Sequence, residues 1–521
     1  MRLPSRRTLN AGLLLAGLLA MLVTVPAAGQ NLVIINADLA KDTINRNIYG
    51  HFSEHLGRCI YGGYFVGVGN TIIPNTRGIR NDVVAALRKL KAPVLRWPGG
   101  CFADTYHWKD GIGPREKRPV MVNSWWGGVT EDNSFGTHEF LDLCEQIGAQ
   151  PYITGNVGSG SVQDFAQWVQ YTNFGGVSPM SALRKENGRE NPWNVRFWGV
   201  GNEAWGCGGS MTAEYYVNMY RTFATFIPAA WGKSPIFRIA SGAGSGDYHW
   251  TEVLMRDIPQ GLIEGLALHH YAVNWSHKSS ATEFTDAEYF DTMTRALQME
   301  ELVTRHSTIM NVYDPDKKIA LVVDEWGGWY DVEPGTNPAF LYQQNTMRDA
   351  MIAGVTLNIL NNHCDRVRMA TLAQTVNVLQ AVVLTDGPRM IVTPTYHVME
   401  MYAVHQDAVL LPVSIRAGLF AMGEKSLPAV SVSASRDGNG VTHISLVNID
   451  PGKAQDVVVD LRGEHCSSVS GRVLVSGNVR DHNTFDDPDR VKPAVFNGAR
   501  LEGGTLRVRL SPCSVVVLAL Q

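Results

Sequence analysis

The feature that most constrains the fold is a regular alternation of apolar strand segments and amphipathic helices along most of the chain. Strands separated by helices imply a parallel sheet, and eight of them allow closure into a (β/α)8 barrel. An open doubly wound sheet is the alternative, but no glycine-rich dinucleotide-binding turn follows the first strand. The predicted strands are 47–52, 93–97, 150–154, 196–200, 237–240, 265–269, 319–323 and 367–373. The predicted helices are 82–91, 138–147, 164–171, 213–226, 286–306 and 339–360.

Beyond about residue 394 the pattern changes to short strands without intervening helices. Apolar and small polar residues alternate over 430–435, and residues 437–440 form a hairpin turn signal. This pattern predicts an antiparallel, jelly-roll-like β-sandwich. The strand predicted at 31–35 is expected to join the sandwich, because the barrel already has its eight strands. Further strands are predicted at 442–448, 455–461, 471–475, 505–510 and 515–518.

The segment 1–29 has the composition of a secretory signal peptide. Arg2, Arg6 and Arg7 precede an apolar run over 13–25, and small residues follow it. An uncleaved membrane anchor is the alternative, but the run is short for one. We therefore predict an exported protein, periplasmic or extracellular, without a membrane partner after the signal is removed. The predicted divisions of the chain are 1–29 (signal), 30–45 (strand joining the sandwich), 46–394 (barrel) and 395–521 (sandwich).

The overall composition is that of a globular protein, with 45% hydrophobic and 18% charged residues among 521. No basic patch, zinc-type Cys/His spacing or phosphate-binding loop is present, so nothing predicts a nucleic acid or nucleotide partner. The chain contains 13 Trp and 17 Tyr. Aromatic faces stack well on sugar rings, although a large aromatic core is the alternative explanation.

The seven cysteines are an odd number, so at least one has no partner within the chain. Cys466 and Cys513 both lie in the C-terminal region and could pair there. Cys101 and Cys207 lie beside the motifs described below, where spacing alone does not decide between free thiols and a bridge.

Two apolar strands end in an acidic residue: 196–200 precedes Asn202-Glu203, and 318–323 precedes Asp324-Glu325. One such acid most often caps a loop, but two at the same ends of parallel strands indicate a site. In (β/α)8 barrels the active site lies at the carboxyl ends of the strands. The polar residues predicted there are Glu54, Arg96, Asn156, Asn202, Glu203, His269, Tyr271, Glu325 and Gln374.

Paired carboxylates are what glycoside hydrolysis requires. Separated by roughly 5 Å they catalyse with retention of configuration, and at roughly 6.5–9.5 Å with inversion. One acid protonates the leaving oxygen while the other attacks the anomeric carbon, and their proximity keeps one protonated. Asn202 is placed to hold a sugar hydroxyl, and His269 with Tyr271 to orient the nucleophile. The two carboxylates supply both functions, so we predict neither a metal nor an organic cofactor.

Several motifs spread from the first strand to the eighth resemble glycoside hydrolase family 51, the α-L-arabinofuranosidases of the retaining barrel clan. The C-terminal sandwich is similar in order and size as well. The motifs are IYGHFSEHLGR (48–58), LRWPGG (95–100), WKDGIGP (108–114), GNE (201–203), DEW (324–326) and AQTVN (373–377).

The resemblance implies that Glu203 is the acid/base and Glu325 the nucleophile. Many members have Asn after Arg-Trp-Pro-Gly-Gly, where this chain has Cys101, so we expect a thiol, a poorer hydrogen-bond partner, at one sugar contact. The resemblance also implies a homo-oligomer. The residues implied to hold the arabinofuranose are Glu54, Asn202, Tyr271 and Gln374, with Trp126 and Trp329 as pocket walls.

The function predicted from these residues and the resemblance is that of a retaining, exo-acting α-L-arabinofuranosidase. Its expected substrates are arabinofuranosyl-containing polysaccharides such as arabinoxylan and arabinan, or their oligosaccharides. An endo-β-1,4-glucanase or xylanase on the same scaffold is the first alternative, because the long loop 111–134 can shape a closed pocket or an open cleft. A carbohydrate-binding protein without catalysis is the second.

Overall fold

The computed structural model describes residues 31–228, 231 and 235–521. The predicted signal peptide lies outside the described residues. Among the helices of the described part, none combines the length and the apolar character needed to cross a bilayer.

Eight parallel strands close into a barrel in which neighbours follow the order of the chain. The last strand pairs with the first, with Thr371 opposite Gly50, so the described residues leave no open barrel edge. The predicted (β/α)8 barrel is confirmed. With the N-terminal strand β1 as Asn31–Asn36, the barrel strands are β2 Gly50–Phe52, β3 Val94–Trp97, β4 Gln150–Gly155, β5 Phe197–Val200, β6 Phe237–Gly244, β7 Gly265–Ala272, β8 Ala320–Gly328 and β9 Val367–Ala373.

Seven of the nine α-helices in the described part of the chain begin at a residue whose side chain caps the helix. Thr285 and Glu288 form a reciprocal capping box at the start of the helix Asp286–Tyr313, and Thr346 caps the helix Met347–Asn362. The helix predicted from 339 therefore begins only at Met347, after a short turn over Pro338–Phe340. The α-helices are α1 Asn81–Lys89, α2 Thr137–Ile147, α3 Val162–Asn173, α4 Pro179–Glu186, α5 Ala213–Thr225, α6 Tyr248–Asp257, α7 Asp286–Tyr313, α8 Met347–Asn362 and α9 Pro394–Tyr402. Helices α4, α6 and α9 were not predicted from the sequence.

The barrel interior below the site is an apolar layer, as expected for a barrel whose lumen is filled by side chains. Large and small residues from successive strands share this layer. The layer consists of Val94, Tyr152, Phe197, Ile239, Ala267, Ala320, Val322 and Met369.

The C-terminal region forms a sandwich of two sheets, and β1 belongs to it as predicted. Its other strands are β10 Val409–Leu410, β11 Val413–Arg416, β12 Val430–Arg436, β13 Thr442–Asn448, β14 Gln455–Arg462, β15 Val469–Val475, β16 Ala494–Val495, β17 Ala499–Glu502, β18 Thr505–Leu510 and β19 Ser514–Leu520. One sheet has the order β11-β1-β14-β18-β17 and the other β10-β12-β13-β19-β15-β16. Strand β1 runs antiparallel to β11 and parallel to β14.

Helix α8 joins the two parts of the molecule, and residues 347–361 of this helix are all buried. A helix without a solvent face must pack on all sides. On one side Asn361 Nδ2 donates to Ser433 Oγ at 3.3 Å, and Ser433 Oγ donates to Asn358 Oδ1 at 2.8 Å. Gly354 allows the close approach, because a Cβ there would lie 2.8 Å from Cγ2 of Val447.

We predict that Gly354→Val destabilises the protein by forcing α8 away from the sandwich. Overpacking of a filled interface costs about 1–3 kcal/mol. Urea denaturation should show this loss in the free energy of unfolding. Gly438→Val is the matched control, because a Cβ at Gly438 meets nothing within 4 Å. Equal stability of the two variants would contradict the close packing described for α8.

Candidate active site

A cavity of about 660 Å³ opens at the carboxyl end of the barrel. Asn202 is buried next to the cavity. Asn156, at the end of β4, does not line the cavity, because its amide binds Tyr106 O and Ser159 Oγ. The predicted site residues that line the cavity are Glu54, Cys101, Trp126, Glu203, His269, Tyr271, Glu325, Trp329 and Gln374.

The two predicted catalytic carboxylates come from β8 and from the turn after β5. Oxygen atoms of Glu203 and Glu325 and a ring nitrogen of His269 all lie within 4.8 Å of one another. This separation suits the retaining geometry of roughly 5 Å and leaves too little room for the water that an inverting mechanism places between the acids.

Glu325 is held at both oxygens. Arg96 Nη1 donates to its Oε1 at 2.8 Å, and Tyr271 OH donates to its Oε2 at 2.8 Å. Gly100 allows this carboxylate to sit against the loop after β3, since a Cβ there would lie 2.9 Å from Glu325 Oε1. The carboxylate is therefore fixed in position, and the residue is 6% exposed.

Arg96 connects both halves of the site. Its Nη2 donates to Asn202 Oδ1 at 2.6 Å, beside the acid/base candidate, while Nη1 also reaches Asp324 O at 3.1 Å. Its Nε lies 3.6 Å from Asp324 Oδ2, which accepts a 2.7 Å bond from Tyr152 OH. The sequence placed Arg96 at a strand end, but its two-sided contact was not predicted.

His269 lies between the carboxylates of Glu203 and Asp324. Its Nδ1 lies 2.9 Å from Glu203 Oε1 and its Nε2 lies 3.2 Å from Asp324 Oδ1. Burial opposes the charged imidazole, but the carboxylates of Glu325 and Asp324 outweigh it and raise the pKa of His269 to about 10. The ring is therefore a cation at neutral pH, hydrogen-bonded to Glu203 through Nδ1 and ion-paired with Asp324 on its other side.

Glu54 forms the opposite wall of the site with Gln374 and Trp126. Its Oε1 accepts from Gly100 N, Phe102 N and Trp126 Nε1 at 3.0–3.1 Å, and its Oε2 accepts from Gln374 Nε2 at 3.0 Å. Burial and then the charge of Glu325 raise the pKa of Glu54 to about 7. Gln374 Oε1 and Trp329 Nε1 have no hydrogen-bond partner among the described residues, so both can bind sugar hydroxyls.

Asp104, which was not predicted from the sequence, supports the site from below. Its carboxylate accepts from the backbone N–H groups of Asn202, Val157 and Gly158 at 2.8–2.9 Å. Burial raises the pKa of Asp104 to about 7. It follows Cys101 closely in the chain without a recognisable pattern, so no sequence signal distinguished it.

Cys101 and Cys207 form a disulfide across the mouth of the site, with Cα atoms 5.4 Å apart. The expected thiol at a sugar contact is therefore a sulfur without a proton to donate. Cys466 and Cys513 are free, so their proposed pairing is wrong.

An eight-stranded barrel with two carboxylates this close at its carboxyl end is a glycoside hydrolase of the retaining type. Two family models match the chain: the α-L-arabinofuranosidase 1 domain over 86–294 and the α-L-arabinofuranosidase C-terminal domain over 324–514. The chain is 49% identical over 506 residues to an intracellular exo-α-L-arabinofuranosidase of Bacteroides ovatus, covering 96% of this chain and 98% of that protein. It is 31% identical to α-L-arabinofuranosidase C of Emericella nidulans, covering 82% and 86%.

Solved structures agree with these relatives. A family 51 arabinofuranosidase from Xanthomonas axonopodis pv. citri superposes with a TM-score of 0.93 at 46% identity, covering 95% of this chain and 100% of that one. The Thermotoga maritima α-L-arabinofuranosidase, solved as an arabinose complex, superposes with a TM-score of 0.83 at 28% identity, covering 94% and 99%. The chain belongs to the α-L-arabinofuranosidases of glycoside hydrolase family 51, which confirms the family predicted from its motifs. The endo-acting and non-catalytic alternatives are not favoured.

The prediction of an exported protein is contradicted by these comparisons. The Bacteroides ovatus relative, aligned over nearly its whole length, is described as intracellular. The prediction depended on the composition of the segment 1–29, and a basic, apolar and small-residue pattern of that length is not specific.

We predict that Arg96→Met lowers the free energy of unfolding by about 3–5 kcal/mol, because it leaves buried carboxylates without their cation. Burial opposes the charge of Asp324, but Arg96 and His269 hold its pKa below the usual value. A depressed pKa contributes stability above the unfolded value of about 4 that is lost as pH falls. The deficit of the variant should therefore be largest near pH 7 and shrink toward about pH 3.

Urea denaturation at both pH values measures this effect. Arg509→Met is the control, because its partner Asp456 is 62% exposed and a surface pair contributes about 1 kcal/mol or less. A deficit that does not change with pH would show that Arg96 acts through packing alone.

Proposed function

We propose that this enzyme releases terminal α-L-arabinofuranosyl residues by double displacement, with Glu203 as acid/base and Glu325 as nucleophile. The observation that carries this assignment is the different environment of the two acids. Glu325 is fixed by Arg96 and Tyr271 at the floor of the cavity, whereas Glu203 is partly exposed at its edge. A nucleophile must be ionised and immobile, and an acid/base must reach the leaving group and then water.

In the first step Glu203 donates its proton to the glycosidic oxygen while a Glu325 oxygen attacks the anomeric carbon. The bond to the leaving group breaks and an ester to Glu325 forms. Arg96 holds the amide oxygen of Asn202, and the Nδ2 group, which makes a long contact of 3.9 Å to Cys207 Sγ, has a second N–H to donate to the hydroxyl beside the attacked carbon.

In the second step Glu203, now a carboxylate, accepts a proton from water as the water oxygen attacks the anomeric carbon. The ester to Glu325 breaks and arabinose leaves with its original configuration. The cationic ring of His269, 2.9 Å from Glu203, stabilises the carboxylate that this step requires.

The remaining cavity residues support binding of a terminal sugar. Glu54 and Gln374 offer acceptors to its hydroxyls, and Trp126 and Trp329 flank it as apolar walls. The intracellular relative supports action on oligosaccharides small enough to enter the cell. We infer such arabinofuranosyl oligosaccharides as the substrates.

We predict that azide distinguishes the two acids in assays with an aryl α-L-arabinofuranoside. In Glu203→Ala the activated leaving group needs no proton, so the ester forms and azide, which needs no base, releases an α-azide. In Glu325→Ala azide replaces the nucleophile and the product is the β-azide. Product configuration, measured by nuclear magnetic resonance, assigns each role.

For substrates with a poor leaving group, Glu203→Ala should lose about 10²–10⁴ in kcat. Glu301→Ala, a partly exposed acid on α7 away from the cavity, is the control. The same azide configuration from both active-site variants would refute the assignment.

We further predict that p-nitrophenyl α-L-arabinofuranoside and short arabino-oligosaccharides are hydrolysed, and that an unsubstituted β-1,4-glucan or β-1,4-xylan is not. Release of arabinose is measured by chromatography. Shortening of the unsubstituted chains in the wild type but not in Glu325→Ala would establish an endo-acting enzyme instead.

A further inference from the structure

The disulfide beside the site joins the loop after β3 to the turn that carries Glu203. Cys101 follows the Gly-Gly turn after β3, and Cys207 lies shortly after Glu203 in the chain. Cys101, Cys207 and Glu203 are each partly exposed, and Cys101 and Glu203 line the cavity. Solutes that enter the cavity therefore reach one end of the disulfide and the Glu203 carboxylate.

The same three residues bring together side-chain types that bind metals, although the two sulfurs are bonded to each other and fit an ion only after reduction separates them. One sulfur of each cysteine and one Glu203 oxygen all lie within 4.8 Å of one another. Cys207 Sγ is 3.6 Å from Glu203 Oε2. Around a tetrahedral Zn²⁺, bonds of about 2.3 Å to sulfur and 2.0–2.2 Å to oxygen put such ligand atoms about 3.6 Å apart. The sulfur-to-carboxylate edge therefore already fits the ion.

We propose that Cys101, Cys207 and Glu203 form an inhibitory site for a soft divalent cation such as Zn²⁺ when the disulfide is reduced. A dithiol reductant gives two electrons and two protons to the S–S bond, which becomes two thiols, and is itself oxidised to a disulfide. The cation then displaces both thiol protons and binds two thiolates and the carboxylate, with its fourth position open.

Occupancy of this site stops hydrolysis because Glu203 can no longer hold a proton for the leaving group. This consequence rests on the acid/base role proposed above, whereas binding of the cation does not. The disulfide, conversely, protects the enzyme, since oxidised sulfurs are poor ligands. In a compartment that keeps thiols reduced, activity would depend on the free concentration of the cation.

A second cluster could bind the same ion without any thiol. Glu203, His269 and Glu325 also have ligand atoms within 4.8 Å of one another. Its imidazole Nδ1 already contacts Glu203 Oε1 at 2.9 Å and its Nε2 lies 3.2 Å from Asp324 Oδ1, so an ion reaches neither nitrogen without breaking a contact to a carboxylate. The thiol site is therefore favoured, and the redox dependence of binding separates the two.

The test uses the full chain, reduced with a phosphine that is then removed, and Co²⁺ as the spectroscopic probe. Reduced wild type should bind one Co²⁺ with a thiolate-to-cobalt charge-transfer band, and oxidised wild type should not. Cys207→Ser should weaken Co²⁺ binding on the order of 100-fold or more. Cys466→Ser, which removes a free, partly buried cysteine in the sandwich, should retain the band. Glu203→Gln should keep the band but bind Co²⁺ more weakly.

Zn²⁺ inhibition provides the second readout, with each variant compared with its own metal-free rate. The reduced wild type should be inhibited at Zn²⁺ concentrations that leave the oxidised enzyme active. Absence of the charge-transfer band in reduced wild type, or an equal band in Cys207→Ser, would overturn the proposal. So would equal Zn²⁺ inhibition of oxidised and reduced enzyme, which would place the ion on the imidazole cluster. If reduction alone abolishes activity, the Co²⁺ titration still shows whether the reduced cysteines bind the cation.

Discussion

The arrangement of the site depends on one buried guanidinium among several carboxylates. Arg96 is 1% exposed and contacts Glu325, Asp324 and Asn202. Removing a charge from water is costly unless its partners are fixed, and here the partners belong to two other barrel strands or to the turns after them. The hydrogen bonds and ion pairs of Arg96 thus hold β3, β5 and β8 in fixed positions relative to one another. The positions of Glu325, the proposed nucleophile, and of Asn202, the proposed sugar-binding amide, are therefore not independent.

Much of the fold could be predicted from the regular spacing of apolar segments along the sequence. The barrel strands are short apolar runs at regular intervals, and parallel strands place their carboxyl ends on one face. For this reason six of the nine polar residues predicted at the strand ends line the cavity. The same argument included Asn156, whose amide caps its own loop. Position at a strand end predicts the face of the barrel, but the rotamer decides whether the side chain enters the cavity.

What could not be predicted depends on contacts between segments distant in sequence. Asp104 acts on the backbone groups of Val157 and Asn202, in two later segments of the barrel, and its function follows only from that geometry. The disulfide joins residues separated by 106 positions, a pairing that cysteine counting leaves open. Helix α6 was missed although it lies between two correctly predicted strands. The prediction of export failed for another reason, because it was based on composition alone.

The place of β1 has a consequence for how the chain folds during synthesis. This strand leaves the ribosome before any of the barrel, yet its partners are β11 and β14, which follow the whole barrel in the chain. Such contacts close a very long loop and form slowly. An apolar strand with both edges unpaired is prone to non-native association while it waits. The sheet that contains β1 therefore cannot be completed until β14 has been synthesised, and a chaperone that shields residues 31–36 would have to act while the whole barrel is made.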